Sequence, residues 1–267
     1  MTGEKKTPAT AVAGGLRELF PDAATRPLVA GDPPFHVTGI SEAARALVPR
    51  LRAPILLHDL LAAASGAEVD TLAALAELHH AGRLRRLPST LDAVPLASPG
   101  QEERLRMTVV LGVRCGFENR VRVVFAGALG RLSIFAHATL CIAGAKAPGE
   151  GVPAVPMPHV MARIAVGGAT SDSPSPARRS RGEGEAIDLD LVGLPLVPAF
   201  APLWPMALSG AAVVVRLDEA AGSLLNEACE AVGAKIVDAH ALVGSCDETN
   251  ASEVANLVRA SLDWPAR

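Results

Sequence analysis

Short, almost uniformly apolar runs that end at a turn residue constrain the fold of this chain more than any other feature. Val121–Gly127 is interrupted by one arginine and ends in glycine, and Ile187–Pro195 repeats the strand-to-turn pattern. Ala211–Leu217 is a third run of the same kind. Such runs predict buried strands, and helix-compatible stretches such as Phe135–Cys141 lie between them. This order of elements predicts the α/β class, with a doubly wound sheet.

Composition narrows the classes of function. The chain has 267 residues, enough for one or two domains, and its 49% hydrophobic content excludes general disorder. A net charge of −3 argues against nucleic-acid binding driven by bulk electrostatics. Aromatic residues make up 3% of the chain and tyrosine is absent, so a base-stacking surface is not expected.

The cysteines and the apolar segments indicate where the protein works. Cys115, Cys141, Cys229 and Cys246 form no C-x-x-C pair, which favours reduced thiols over a disulfide framework or zinc ligands. No segment reaches about 18 uninterrupted apolar residues, and the first residues lack the apolar core of a signal peptide. We therefore expect a soluble cytoplasmic protein with no membrane span and no metal.

The N-terminal third predicts a flexible start over residues 1–39 and a helical module over residues 40–90. Its helices and strand follow from capping residues and apolar spacing. They are a helix capped by Ser41, a helix over Ile55–Ala64, a helix capped by Asp70 or Thr71 and stopped by Gly82, and a strand over Arg83–Leu87. Three short helices and a β-ribbon predict a winged helix-like domain.

The run from Pro54 to Leu84 resembles the helical C-terminal part of bacterial PATAN-type domains, through its apolar spacing and a Gly-x-Leu ending, and the resemblance covers roughly residues 40–90. Such interaction domains often accompany small GTPases. The adjacent His79 and His80 point to different helix faces, so we expect a half-buried and a solvated histidine and not a metal pair. Arg83, Arg85 and Arg86 could contact phosphates, but a solvated edge is the simpler interpretation.

A second domain is expected after a linker over residues 91–104, and it covers residues 105–267. Met107–Arg114 predicts a strand in a hairpin with the strand that begins at Arg120, the former added at the edge of the sheet. Residues 167–185 contain almost no apolar residue, which predicts a mobile hairpin tip.

The turn after Val121–Gly127 occupies the position of a phosphate-binding loop but lacks its chemistry. A working loop reads G-x-x-x-x-G-K-[ST], in which the backbone and the lysine hold phosphates and the hydroxyl holds Mg²⁺. Counted from Gly127, the last three positions are Leu132, Ser133 and Ile134. Pairing Gly130 and Arg131 with Gly-Lys instead puts Leu132 at the hydroxyl position. The sequence thus predicts a degenerate nucleotide-binding loop whose residues are Gly127, Gly130, Arg131, Leu132 and Ser133.

Gly193–Phe200, followed by Leu203 and Trp204, resembles the switch of the bacterial gliding-motility and cell-polarity branch of Ras-like GTPases. That switch reads Gly-Thr-Pro-Gly-Gln-Glu-Arg-Phe, and here the Gly, Pro, Phe and Trp framework remains while the polar residues are apolar. Residues 152–166 offer no Ser or Thr for Mg²⁺, and Asn-Lys-x-Asp is absent from the chain. The resemblance implies a shortened Ras-like P-loop NTPase-type doubly wound sheet that binds no cofactor and catalyses no reaction.

A protein that cannot use a nucleotide is expected to act by binding other proteins. If exposed, the apolar residues of the switch remnant would form an interface. They are Leu196, Val197, Phe200, Leu203 and Trp204. The resemblance implies a Roadblock-type protein or a motility or polarity complex as partner. An equally weighted interpretation is that these side chains fill the place of the nucleotide.

Two other functions stay open at this point. The first is an atypical nucleotide-binding hydrolase. Asp188 and Asp190 lie on one strand face, but we expect such an acidic pair on an edge strand to be solvated. The second is a winged helix DNA-binding regulator, against which the charge balance and the missing basic recognition helix argue.

Overall fold

We describe the fold from a computed structural model of the chain. The residues that the structure describes are 15, 18–22, 25–30, 39–64, 66–97, 101, 105, 120–148, 156–166 and 187–263. The chain divides into two compact units, residues 1–92 and residues 93–267. Among the described residues, no helix is long and apolar enough to cross a membrane.

The first unit is a small helical domain with a two-stranded ribbon. Its helices are α1 (Glu42–Leu47), a 3₁₀ turn (Arg50–Arg52), α2 (Leu57–Ala63) and α3 (Glu68–His80). Its strands, β1 (Leu28–Ala30) and β2 (Leu84–Arg86), pair antiparallel, and Ile55 forms a further antiparallel bridge with Leu28. Ser41 caps α1 as predicted, since its hydroxyl accepts the N–H of Ala44.

Strand β1 differs from the sequence prediction, which placed it in a flexible start. Leu28 and Val29 are each about 1% exposed, and Leu28 packs in one core with leucines of α2 and α3. Because β2 pairs with β1, the ribbon joins a segment that precedes the three helices in the chain to a segment that follows them. The basic residues around β2 therefore lie on a strand held by residues before α1.

Helix α3 begins three or four residues earlier than the predicted caps, Asp70 or Thr71, would place it. Its first residue is Glu68 and its N-cap is Ala67, which has no side chain able to accept a hydrogen bond. Thr71 is not a cap, because it lies within the first turn of the helix. Its side chain is buried, as are those of Leu72 and Leu75. The end of the helix agrees with the prediction: Gly82 adopts a φ of +65°, a conformation that glycine tolerates without strain.

The second unit contains a six-stranded sheet in the order β4-β5-β6-β3-β7-β8. Its strands are β3 (Arg120–Gly127), β4 (Ala145–Lys146), β5 (His159–Val166), β6 (Ile187–Pro195), β7 (Val213–Arg216) and β8 (Ile236–Asp238). Strands β6, β3, β7 and β8 are parallel, while β4 and β5 run antiparallel to their neighbours. The predicted α/β class is confirmed.

Helices cover both faces of this sheet. Helices α4 (Leu129–Leu140) and α8 (Ala251–Asp263) pack on one face, where the rings of Phe125 and Phe135 lie 4.6 Å apart. A 3₁₀ segment (Pro198–Leu203) leads to α5 (Trp204–Leu208), which covers the other face with α6 (Gly222–Val232). Helix α7 (Ala239–Val243) follows β8. Two buried faces explain why the central strands read as continuous apolar runs.

The predicted hairpin between Met107–Arg114 and the strand at Arg120 lies partly outside the described residues, so it stays a prediction. Residues 106–119 lie outside the described residues, but β3 is a central strand with β6 on one side and β7 on the other. From Val123 to Ala126 both edges of β3 are paired, one with β6 and the other with β7. The predicted tip at residues 167–185 also falls outside the described residues.

The contact between Ser41 and Glu77 predicts a pH-dependent stability of the first unit. The Ser41 hydroxyl and backbone N–H each donate to the Glu77 carboxylate at 2.6 Å. The hydroxyl bond, followed by the backbone bond, lowers the pKa of Glu77 below its ordinary value of 4.5. A lowered pKa means that the stabilisation is complete above that ordinary value and is lost as the pH falls through the folded-state pKa.

Replacement of Glu77→Gln should therefore lower the melting temperature at pH 7, and the difference from the wild type should shrink below about pH 4. Thermal unfolding followed by circular dichroism across this range measures both effects. Glu18→Gln, an exposed carboxylate of the same unit, serves as the control and should show no such convergence. A pH-independent difference for Glu77→Gln would contradict the assignment.

Candidate functional site

The carboxyl ends of the parallel strands form the natural place for a site. In open α/β sheets ligands bind outside this edge, where neighbouring strands send their helices to opposite faces. Strand β3 leads to α4 on one face and β7 leads to α6 on the other. A ligand at this edge would therefore lie between two connections, Gly127–Leu129 after β3 and Leu217–Ala221 after β7.

The connection after β3 is too short to enclose a phosphate group. Strand β3 ends at Gly127, the N-cap is Ala128, and α4 begins at Leu129. The segment from Gly130 to Ser133, predicted to be a loop, is therefore the beginning of a helix. Leu132 faces the core at 1% exposure, and the Ser133 hydroxyl donates to the Gly130 carbonyl at 2.8 Å.

A carboxylate of the chain itself binds the start of α4. The Ala128 N–H donates to Oδ2 of Asp218 at 2.7 Å, and the Ala220 N–H donates to Oδ1 at 2.9 Å. A Cβ at Gly127 would lie 3.0 Å from Oδ2, so glycine permits this close approach. Helix N-termini attract anions through their free N–H groups and dipole. Asp218 supplies that anion from within the chain.

Arg131 stands where a phosphate-binding loop carries lysine, but its guanidinium is engaged inside the protein. Its Nε donates to Oε1 of Glu248 at 2.6 Å, and the same guanidinium donates to the Leu217 carbonyl. At this edge the Ala128 N–H at the start of α4 and the Arg131 guanidinium therefore both have partners within the chain.

The five residues of the switch remnant separate into buried and accessible groups. Leu196 and Trp204 are buried in the core between the sheet and α6, so neither can contact a partner without unfolding. Val197 and Phe200 are half-buried, and Leu203 is 42% exposed. The Leu196 N–H also donates to the Gly127 carbonyl at 2.9 Å, which extends the pairing of β6 and β3 beyond the strands.

Asp218 and Glu248 are the site residues that sequence reasoning missed. No motif contains either of them, and their partners are distant in the chain: Ala128 lies 90 residues before Asp218, and Arg131 lies 117 residues before Glu248. An acidic residue after a strand is a weak local signal for Asp218. Glu248 has no local signal, because a loop after α7 brings it to α4.

The described cysteines do not form a nucleophilic site. Cys141 and Cys229 are buried, and burial raises the pKa of Cys229. Burial first, and the nearby Glu248 second, raise the pKa of Cys246 to about 12, so its thiol stays protonated at neutral pH. Among the described residues, no group of three or more His, Cys, Asp or Glu side chains is placed to hold a metal ion.

Asp190 is not the solvated edge acid that the sequence predicts. Strand β6 is an interior strand, and the side chain of Asp190 is 6% exposed. Its Oδ1 accepts a hydrogen bond from Nε of Arg163 at 2.7 Å, and this bond raises the pKa of Arg163. Asp188, two residues earlier, is half-buried. The ion pair joins β5 to β6 and is a structural contact.

Removal of the cation from this pair should destabilise the second unit. Arg163→Met leaves a buried carboxylate without its cation, and we expect a loss of about 2 kcal/mol, limited because the arginine is 41% exposed. The double variant Arg163→Met, Asp190→Leu removes both charges and should recover most of that loss. Urea unfolding of the two variants measures this difference, and equal losses would contradict a buried pair.

The carboxylate of Asp218 should stabilise the start of α4 in the manner of an N-cap. Asp218→Ala removes the acceptor of two backbone N–H groups, and we expect a loss of about 1–2 kcal/mol. Glu219→Ala, which alters the adjacent exposed carboxylate, should stay within about 0.5 kcal/mol of the wild type. Urea unfolding of both variants tests the difference; indistinguishable stabilities would show that Asp218 is not a cap.

Comparison with known proteins identifies no relative. No family model matches the chain, no curated protein matches it, and no solved structure matches it.

Proposed function

We propose that this protein is a catalytically inactive, Ras-like pseudo-GTPase joined to a winged helix-like module, and that it acts in the cytoplasm by binding other proteins. The observation that carries the proposal is the carboxylate of Asp218 on the N-terminus of α4. In a GTPase the corresponding helix start and its loop hold phosphate groups. Here the Asp218 carboxylate accepts the N–H of Ala128, the N-cap residue, and places a negative charge where a nucleotide would bring its phosphates.

The order of the elements supports the Ras-like part of the proposal. The sequence resemblance implies a strand–turn–helix unit, a long hairpin, a switch remnant and a further buried strand. Strand β3 with α4, the antiparallel pair β5 and β6, the 3₁₀ segment and β7 follow one another in that order. Among the described residues no further strand follows β8, which supports the shortened back half that the sequence predicts.

The electrostatics of the carboxyl edge also oppose phosphate binding. The described acidic residues at this edge are Asp218, Glu219, Asp238, Asp247 and Glu248, and the basic ones are Arg131 and Arg216. Both guanidiniums are paired, Arg131 with Glu248 and Arg216 with Asp238 at 2.5 Å. Carboxylates in excess repel a polyanionic ligand, whereas a phosphate site needs donors and cations.

Protein binding is the function that remains compatible with these features. Leu203 and the neighbouring Met206 are exposed apolar side chains on the 3₁₀ segment and α5. The chain from Leu191 to Val215 contains no charged residue. An uncharged surface with exposed Leu and Met is typical of protein interfaces. A Roadblock-type protein or a component of a bacterial motility or polarity complex is the partner class implied by the resemblance.

Thermal unfolding with GTP, GDP and ATP in the presence of Mg²⁺ tests the proposal. A nucleotide at about 100 times its dissociation constant stabilises a protein by about 2.7 kcal/mol, which is a clear rise in melting temperature. We expect no rise with any nucleotide, and no phosphate release on prolonged incubation. Asp218→Asn should behave in the same way, because Arg131 remains paired with Glu248. A rise of the wild-type melting temperature with GTP would overturn the proposal.

A further inference from the structure

Three neighbouring segments each bring an apolar side chain to the carboxyl edge of the sheet. Leu129 is 46% exposed at the start of α4, and Met157 is 45% exposed just before β5. Val197, just after β6, is half-buried. Single exposed apolar side chains are common on protein surfaces. Two of them at the same edge as a half-buried third form a patch that water solvates poorly.

The register of the strands places the three segments that carry these side chains next to one another. His159 of β5 lies opposite Gly193 of β6, and Pro195 of β6 lies opposite Gly127 of β3. Met157 precedes His159 by two residues, while Val197 and Leu129 each follow their paired residue by two. Because neighbouring strands are about 4.8 Å apart, the three segments leave the sheet within about 10 Å of one another. We call Leu129, Met157 and Val197 the apolar edge patch.

The same edge is acidic where it continues over β7 and β8. Asp218 lies directly across the start of α4 from the patch, since it accepts the Ala128 N–H next to Leu129. Glu219 is exposed, and Asp247 adjoins the Glu248 that pairs with Arg131. The two arginines of this edge pair with Glu248 and Asp238, so they do not neutralise Asp218, Glu219 and Asp247. We call these three residues the acidic border.

We propose that the apolar edge patch and the acidic border together bind a basic amphipathic segment of a partner protein, with apolar side chains on the patch and Lys or Arg side chains on the border. This inference rests on the proposed protein-binding function and names the chemistry of the partner. The apolar contact supplies binding free energy, and the charge complementarity selects the partner and raises its association rate. The acidic border repels nucleic acids and anionic membrane surfaces, so these ligands do not fit the edge.

A set of synthetic peptides of about 14 residues, about four helical turns, tests this chemistry. The first peptide carries leucines on one helical face and lysines beside them. The second replaces every lysine with glutamate, and the third keeps the lysines but replaces every leucine with serine. Fluorescence anisotropy with the full-length protein measures binding. We expect the first peptide to bind at least tenfold more tightly than either of the others.

Variants of the protein locate the binding site. Leu129→Asp and Met157→Glu each replace an exposed apolar side chain with a charged one and so remove its apolar contact. Each should weaken binding of the leucine–lysine peptide about tenfold, which corresponds to about 1.4 kcal/mol. Glu219→Lys should weaken it and reduce its salt dependence. Leu91→Glu is the matched control, because Leu91 is 78% exposed in the other unit and should have no effect.

The outcomes separate this inference from the proposed function. Equal binding of all three peptides, tighter binding of the glutamate peptide, or equal weakening by Leu91→Glu and Leu129→Asp would overturn the basic amphipathic partner. So would self-association of the protein through the patch, detected by sedimentation and abolished by Leu129→Asp. None of these results changes the nucleotide experiment, whose failure would instead appear as stabilisation by GTP. Thermal unfolding of each variant verifies that it is folded.

Discussion

The hydrogen bonds from Ala128 and Ala220 to the Asp218 carboxylate are the contact on which the carboxyl edge of this sheet depends. They join the connection after β3 to the connection after β7, the two segments between which an α/β sheet opens for a ligand. Gly127 allows the approach because it has no Cβ, and Leu217 accepts the guanidinium of Arg131 from the same side. At this edge, therefore, the Asp218 carboxylate and the Arg131 guanidinium both have partners within the chain.

These internal contacts affect which ligands the edge can recognise. The Asp218 carboxylate places a negative charge beside the N-terminus of α4, where a phosphate would otherwise be favoured, and an arginine paired with Glu248 has little free charge to offer. What remains accessible is apolar on the side of β5, β6 and β3 and acidic on the side of β7 and β8. This surface matches the partner that we propose, a polypeptide segment that presents apolar and cationic groups together.

Comparison of particular elements shows where local sequence is a sufficient guide. The central strands were predictable because burial on both faces requires continuous apolar residues, and Ser41 and Gly82 were predictable as helix ends because capping is local. The start of α4 was not, since Gly130 favoured a loop. Burial of Leu132, Phe135 and Ala136 along one helical face outweighs that preference. The switch remnant was half predictable, because its apolar composition does not distinguish the buried Leu196 and Trp204 from the exposed Leu203.

The sequence by itself determined the α/β class of the second unit, the helical character of the first, and the loss of a phosphate-binding motif. These properties depend on periodicity and on residue types at fixed spacing. Only the tertiary structure decided that β3 is a central strand, that Asp190 is buried beside Arg163, that Asp218 accepts the Ala128 N–H, and that Glu248 pairs with Arg131. Each of these depends on contacts between residues far apart in the chain, and such contacts are fixed by strand order and packing, which no local pattern encodes.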